Sequence, residues 1–183
     1  SILLVEDSVR YYSTYLPELY RMVLRQSAEF LKETLNEQQR KHMKRSRPKI
    51  LLATNLDDAM AMYEKYKSNL LGVISDVGFC EHRGGKPEEE KLDAGIELVR
   101  HIKADDPKMP ILLQSSQDCI SAVAEELGVG FLRKYSKTLM IQLYEYIKEE
   151  FAFGDFIFRD ADRVEYGRAA NLKELEILMR EVP

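Results

Sequence analysis

The chain has 183 residues, of which 45% are hydrophobic, and a net charge of −4. This length suits one domain with an appendage, and the slightly acidic balance gives no reason to expect a nucleic-acid partner. No apolar run approaches the roughly 20 residues that cross a bilayer, no signal peptide is recognisable, and two cysteines make no disulfide framework, so we expect a cytoplasmic protein without a membrane partner.

The first part of the chain predicts one strand and one unusually long helix. The hydrophobic run ILLV predicts a strand over residues 2–6, and apolar residues at spacings near three and four predict a helix over 9–43. Pro17 lies inside that helix, where we expect a kink or a break. The basic stretch 40–49 is typical of a linker or a frayed helix end.

Two further hydrophobic runs predict strands over residues 50–53 and 71–75. Between them, Asn55 is placed to cap a helix over 56–67. Residues 77–91 are polar and lack apolar periodicity, so they are predicted to be a loop.

The same alternation of helix and strand continues to residue 151. The predicted elements there are a helix over 93–103, a strand over 110–114, a helix over 121–127 that stops at Gly128, a strand over 130–133 and a helix over 137–151. Short apolar runs separated by amphipathic stretches indicate buried parallel strands joined by crossover helices.

The last thirty residues differ from the rest. Residues 154–168 predict a hairpin with a turn near 160–162, and Asn171 is placed to cap a short helix over 172–180. We therefore divide the chain into a domain over 1–151 and a part over 152–183, which is a hairpin-helix appendage or the start of a further domain.

Four of the five predicted strands have a candidate site residue at their carboxyl end, whereas the second ends without charge at Thr54. Glu6 and Asp7 lie at the end of the first strand, Asp76 of the third, Ser115 of the fourth and Lys134 of the fifth. The carboxyl ends of strands in such sheets meet in one crevice, so these side chains are expected to converge. Such a set can bind a divalent cation and accept a phosphoryl group on a carboxylate.

These residues lie in five motifs that together resemble the receiver domain of bacterial two-component response regulators. The motifs are ILLVEDS (2–8), GVISD (72–76), DAGIELVRHI (93–102), PILLQSS (110–116) and GVGFLRK (128–134). The resemblance implies an α/β, flavodoxin-like, doubly wound sheet of five parallel strands in the order 2-1-3-4-5. The extended first helix and the C-terminal hairpin-helix would be additions to it.

The chemistry of the residues and the resemblance agree on the role of each. Mg²⁺ prefers oxygen ligands, which Asp7 and Asp76 can supply directly and Glu6 directly or through water. Asp76 would be the nucleophile, and Lys134 would offset charge on the transferring oxygens.

The resemblance adds further roles and partners. It implies a backbone ligand from Gly78, a hydrogen bond from Ser115 to the phosphate, and a switch made by Ser115 with Phe131. The implied protein is a Mg²⁺-dependent phosphoacceptor in signal transduction, served by a histidine kinase or a small phosphodonor and covalently linked to an output domain. It would phosphorylate itself and hydrolyse its own phosphate rather than turn over repeatedly.

Several features depart from that family and leave an alternative open. The first helix is about twice the usual length, the loop after Asp76 is long, and Tyr135 replaces a proline after Lys134, so we expect a trans bond there. The long helix could form a homodimer interface, or it could pack on its own domain or on the hairpin. The alternative function is a pseudo-receiver, an interaction or dimerisation module independent of phosphorylation. A phosphatase is disfavoured, because Gly78 occupies the place of its usual second acid.

The whole chain also resembles a narrower group. YYSTYLPELY (11–20) and residues 151–176 resemble the N-terminal regulatory part of bacterial proteins related to phosphoenolpyruvate synthase and pyruvate phosphate dikinase. Because the sequence begins directly on a strand, we expect it to be a fragment of a longer polypeptide.

Overall fold

A computed structural model describes residues 1–33, 48–151, 156–159, 164–169 and 172–181. The end of the predicted first helix, most of the basic stretch 40–49, the predicted hairpin turn and the cap Asn171 lie outside these residues. In chain order the elements are β1 (Ile2–Val5), α1 (Val9–Glu33), β2 (Ile50–Ala53), α2 (Leu56–Tyr66), β3 (Gly72–Asp76), β4 (Phe79–Cys80), β5 (Glu90–Lys91), α3 (Ala94–Asp105), β6 (Ile111–Ser115), α4 (Ile120–Glu126), β7 (Gly130–Arg133), α5 (Leu139–Glu149), β8 (Phe156–Arg159), β9 (Glu165–Ala169) and α6 (Leu172–Glu181).

Five of the strands form one parallel sheet in the order β2-β1-β3-β6-β7. Every neighbouring pair in it is parallel, with Leu3 opposite both Leu51 and Val73. Numbered among themselves, the five strands have the order 2-1-3-4-5. The predicted flavodoxin-like sheet is therefore confirmed.

Alternate residues of the strands bury the two faces of the sheet. One face packs its side chains with α2, α3 and α4 in a single cluster, in which Tyr63, Leu98 and Ile102 are fully buried. The intervening strand residues Ile2 and Leu4 are equally buried, as a sheet covered on both faces requires. This explains why the strands appear in the sequence as continuous hydrophobic runs.

The helix boundaries follow local signals in the sequence. Asn55 caps α2 as predicted, because its Oδ1 accepts a hydrogen bond from the Asp58 amide at 2.8 Å. Gly128 has φ +65°, a conformation that favours glycine, and it follows the end of α4. Helix α1 continues through Pro17, so of the predicted kink or break the break does not occur, and the kink stays a prediction.

The predicted loop over 77–91 contains regular structure that the sequence did not indicate. Strands β4 and β5 pair there as a short antiparallel ribbon. The ribbon is fastened to the start of α2, since the Asp57 amide donates to the Glu81 carbonyl at 3.0 Å and the Asp57 carboxylate lies 2.7 Å from His82 Nδ1. Two-residue strands are too short to produce a visible alternation, which is why the pattern missed them.

The chain divides into two compact units. The first comprises Ser1–Tyr20 and Pro48–Leu143 and contains the whole parallel sheet. The second comprises Arg21–Arg47 and Tyr144–Pro183. The predicted boundary between residues 151 and 152 stays a prediction.

The predicted C-terminal hairpin and helix are present in the second unit. Strands β8 and β9 pair antiparallel. A Cβ at Gly167 would lie 2.9 Å from Leu178 Cδ1, so α6 approaches β9 closely. The Arg168 guanidinium binds Glu165 and Glu149, which ties β9 to the end of α5.

In the described parts of the chain, no helix has the length and apolar character needed to cross a membrane.

Candidate acidic site at the carboxyl edge of the sheet

Three carboxylates converge at the carboxyl edge of the sheet, as the strand ends predicted. Glu6 and Asp7 follow β1, and Asp76 is the last residue of the adjacent strand β3. One ligand oxygen from each lies within 4.8 Å of the others. Glu6 is buried, whereas Asp7 and Asp76 are partly exposed, so the cluster opens to solvent on one side.

Lys134 joins two of these carboxylates. Its Nζ donates to Glu6 Oε2 at 2.8 Å and to Asp76 Oδ2 at 2.5 Å, and the residue is only 5% exposed. Its backbone amide donates to the Ser115 carbonyl at 2.9 Å, which fixes the end of β7 against β6. The lysine therefore lies where the sequence predicted it.

Backbone amides bind the remaining oxygens of the same carboxylates. Glu6 Oε1 accepts from the Ser8 amide at 3.1 Å, and Asp76 Oδ1 accepts from the Val77 amide at 2.7 Å. Each carboxylate is thus oriented by one backbone donor and one ammonium donor.

Burial and crowding of negative charge perturb the acids. Burial, followed by the charge of Asp76, raises the pKa of Glu6 to about 7, although Lys134 opposes the shift. Burial, followed by the charges of Asp76 and Glu90, raises the pKa of Asp7. Burial alone would lower the pKa of Lys134, but the two carboxylates reverse that effect and raise it.

The donor set suits a hard divalent cation. With Glu6 ionised, three carboxylates face a single ammonium, and a cation would relieve the repulsion that adds to burial in raising the pKa values of Glu6 and Asp7. Carboxylate oxygens are the ligands that Mg²⁺ uses in proteins. The arrangement is consistent with a receiver-type metal site.

Comparison with solved structures identifies the fold. The chain superposes on a response regulator receiver protein from Sinorhizobium medicae with a TM-score of 0.54 and 16% identity, over 82% of this chain and 93% of that one. The receiver domain of NtrX from Brucella abortus matches with a TM-score of 0.51 and 20% identity, over 81% of this chain and 98% of that one. The chemotaxis protein CheY4 from Vibrio cholerae matches with a TM-score of 0.51 and 16% identity, over 81% of this chain and 96% of that one.

The chain has the receiver fold. Identities of this size support the fold alone. No protein-family model and no curated protein matches the sequence. The expected link to phosphoenolpyruvate synthase and pyruvate phosphate dikinase is without support from any of these comparisons.

Three further residues of the receiver fold occupy positions consistent with their predicted roles, which stay predictions. Ser115 ends β6, and its Oγ accepts a hydrogen bond from the Gln117 amide at 3.1 Å. Phe131 lies in β7, partly buried against the core of the first unit. Gly78 lies between β3 and β4, where a Cβ would come 2.5 Å from Glu90 Oε1.

The peptide bond that precedes Tyr135 is trans, as expected for a residue other than proline. Within the described residues no peptide bond is cis. Tyr135 instead has φ +69°, the left-handed conformation that a bulky side chain adopts at a cost. The chain thus turns after Lys134 through a strained tyrosine.

Sequence reasoning missed two residues at this site, Glu90 and Tyr11. Glu90 arrives from the β4–β5 ribbon and adds a fourth negative charge near Asp7. Tyr11 places its ring beneath Lys134 Nζ, with 4.2 Å from nitrogen to ring centroid. Tyr11 lies in the first turn of the predicted helix that follows Asp7, but no spacing in the sequence paired it with Lys134. Nothing in the sequence pattern indicated Glu90.

Proposed function

We propose that this receiver fold accepts a phosphoryl group on Asp76, with Mg²⁺ required, and acts as a phosphorylation switch in signal transduction. The observation that carries the proposal is the buried Lys134 ammonium held between Glu6 and Asp76 beside the cluster of three carboxylates. If Lys134 only made a structural ion pair with Glu6 and Asp76, the site would not need a third acid. Asp7 is that third acid, and it lies at the open side of the cluster, where the Lys134 ammonium does not bind it.

Each side chain has a defined part in the reaction. Glu6, Asp7 and Asp76, with the backbone of Gly78, would hold the cation. When bound, Mg²⁺ offsets negative charge on the phosphoryl oxygens and on the carboxylates. Lys134 supplies a positive charge to the same oxygens and needs no proton transfer to do so, because its raised pKa keeps it protonated at neutral pH.

Asp76 is the nucleophile. One of its carboxylate oxygens forms a bond to phosphorus while the bond from phosphorus to the donor breaks, and the leaving group takes that electron pair. With acetyl phosphate the leaving group is acetate. Attack by water on phosphorus later breaks the new bond and restores the carboxylate, so the protein hydrolyses its own phosphate.

The readout of phosphorylation is a local change of charge. The phosphoryl group brings close to two negative charges, while the Asp76 carboxylate loses its own charge on bonding to phosphorus, so the site gains about one negative charge. Ser115 would donate its hydroxyl to that group, and Phe131 would change rotamer as Ser115 and the loop after β6 move, which biases a two-state element. A histidine kinase or a small phosphodonor supplies the phosphate, and a linked output domain responds.

The test is the intact mass of the protein after incubation with acetyl phosphate and Mg²⁺. We expect one phosphoryl adduct on the wild type and none on Asp76→Asn. The matched control is Asp93→Asn, an exposed aspartate whose side chain makes no capping hydrogen bond. It should be phosphorylated like the wild type.

Fast hydrolysis could hide an adduct, so beryllofluoride binding with Mg²⁺ complements the mass measurement. Absence of both the adduct and beryllofluoride binding would contradict the proposal. That result would favour the pseudo-receiver, an interaction module that never carries phosphate. The observation in its favour is the remodelled entrance, where the ribbon places Glu90 against Gly78 and Tyr135 replaces the expected proline.

A further inference from the structure

Lys134 has an aromatic partner in addition to its two carboxylates. The Tyr11 ring lies below the ammonium, with Nζ 4.2 Å from the ring centroid. Cation–π attraction operates within about 6 Å and is strongest where water is excluded, as it is around this lysine. The contact joins the first turn of α1 to the residue after β7.

Two other tyrosines hold that ring in place. Tyr15, one turn further along α1 and 1% exposed, stacks on Tyr11 at 6.3 Å between centroids with 21° between the ring planes. Tyr135 presents an edge to Tyr11 at 5.7 Å and 70°. The strained backbone of Tyr135 is what carries its ring to this position directly after Lys134.

The three partners of the ammonium respond differently to chemistry at Asp76. Asp76 Oδ2 ceases to be an available carboxylate oxygen if it becomes the oxygen bonded to phosphorus. Glu6 is one of the three acids of the cluster, so its carboxylate would be shared with the cation. The face of Tyr11 is neither a ligand of the cation nor an acceptor of the phosphoryl group, so its contact with the ammonium depends on neither event.

We propose that Tyr11 is a positioning residue that keeps the Lys134 ammonium in place for the phosphoryl group when Asp76 no longer binds it. This inference rests on the proposed function and assigns to Tyr11 a part in it. The ring face of Tyr11, rather than its hydroxyl, attracts the ammonium, and the Tyr11–Tyr15–Tyr135 stack supports that face.

The experiment compares Tyr11→Phe, which keeps the ring, with Tyr11→Leu, which removes it. The measured quantity is the dissociation constant of beryllofluoride with Mg²⁺ in the intact chain. We expect Tyr11→Phe to stay within about 2-fold of the wild type and Tyr11→Leu to bind about 5- to 30-fold more weakly. Tyr20→Leu, at an exposed position of the same helix, is the control and should bind like the wild type.

A second readout reports the contact itself and needs no ligand. In the metal-free protein, ring current from Tyr11 shifts the Hε protons of Lys134 upfield in the NMR spectrum, and the signal is assigned by its loss in Lys134→Arg. Tyr11→Phe should keep this shift, and Tyr11→Leu should abolish it. Should Tyr11→Leu fail to fold, Tyr11→Met replaces it, because methionine also lacks a ring and is a good helix former.

The outcomes separate the inference from the proposed function. Wild-type binding of beryllofluoride with unchanged affinity in Tyr11→Leu would overturn the inference and leave the function standing. Equal weakening by Tyr11→Phe and Tyr11→Leu would also overturn it, because the hydroxyl rather than the ring would then matter. No binding by the wild type overturns both.

Discussion

The charge of Glu6 costs the folded state free energy at neutral pH. Its carboxylate is buried, 1% exposed, and has a pKa of about 7 against 4.5 for the free side chain. At pH values between these two pKa values, Glu6 is protonated in the folded state and has released its proton in the unfolded state. The free energy of unfolding therefore falls as pH rises through this window. The contribution of Glu6 is fully present below pH 4.5 and is lost above pH 7.

We expect the metal-free protein to lose about 2 kcal/mol of stability between pH 5 and pH 8 because of Glu6. Urea denaturation at a series of pH values, with a chelator present, measures this. Asp7 and His82 have raised pKa values and add slopes of the same sign, so the comparison that isolates Glu6 is Glu6→Gln. The variant should show a clearly flatter curve, and parallel curves would refute the assignment.

At the scale of elements, a close approach of α3 to the end of β3 holds the acceptor in place. Gly95 is the second residue of α3, and its amide donates to the Val77 carbonyl at 2.9 Å. A Cβ there would collide with the Asp76 carbonyl oxygen and would lie 2.9 Å from Val77 Cα. These are backbone atoms that cannot turn aside, so only glycine lets the helix lie against the strand at Asp76.

Gly95→Ala should destabilise the protein by about 2 kcal/mol, because the overpacking cost exceeds the gain in helix propensity. It should also weaken beryllofluoride binding, since Asp76 must move. Gly128→Ala is the control, because a Cβ there meets open space. Its only expected cost is the strain of an alanine at φ +65°, about 1 kcal/mol of stability. Urea denaturation measures both costs, and a control that lost ligand affinity as well would argue against a local effect at Gly95.

How far the sequence predicts each element depends on the length of the pattern behind it. The five sheet strands followed from short hydrophobic runs, and their order followed from the resemblance to receiver domains. Asp76, Glu6 and Lys134 followed from the ends of those runs. The β4–β5 ribbon did not, because two residues carry no period and its position is set by hydrogen bonds to α2. Helix α1 passes through Pro17 without a break, because the rest of the helix outweighs one missing amide donor, and a kink there stays a prediction.

At the scale of the whole molecule, the candidate site belongs to one unit. Its carboxylates, Lys134 and the tyrosines around it all come from the first unit, whereas β8, β9 and α6 belong to the second. No spacing in the sequence could have paired Tyr11 with Lys134, because that contact depends on how the two ends of this unit meet across the sheet. We therefore expect a ligand to protect the first unit from opening.

Ligand binding stabilises only those openings of the chain that destroy the site. With Mg²⁺ and beryllofluoride at about 100 times the dissociation constant, amide hydrogen exchange in β1, β3, β6 and β7 should slow by up to about 100-fold. Amides of β8 and β9 should exchange as they do without ligand, because their opening leaves every site residue in place. Exchange measured by mass spectrometry on Asp76→Asn, which lacks the acceptor carboxylate, provides the baseline. Equal slowing in β8 and β9 would contradict this expectation and would mean that the two units open together as one cooperative body.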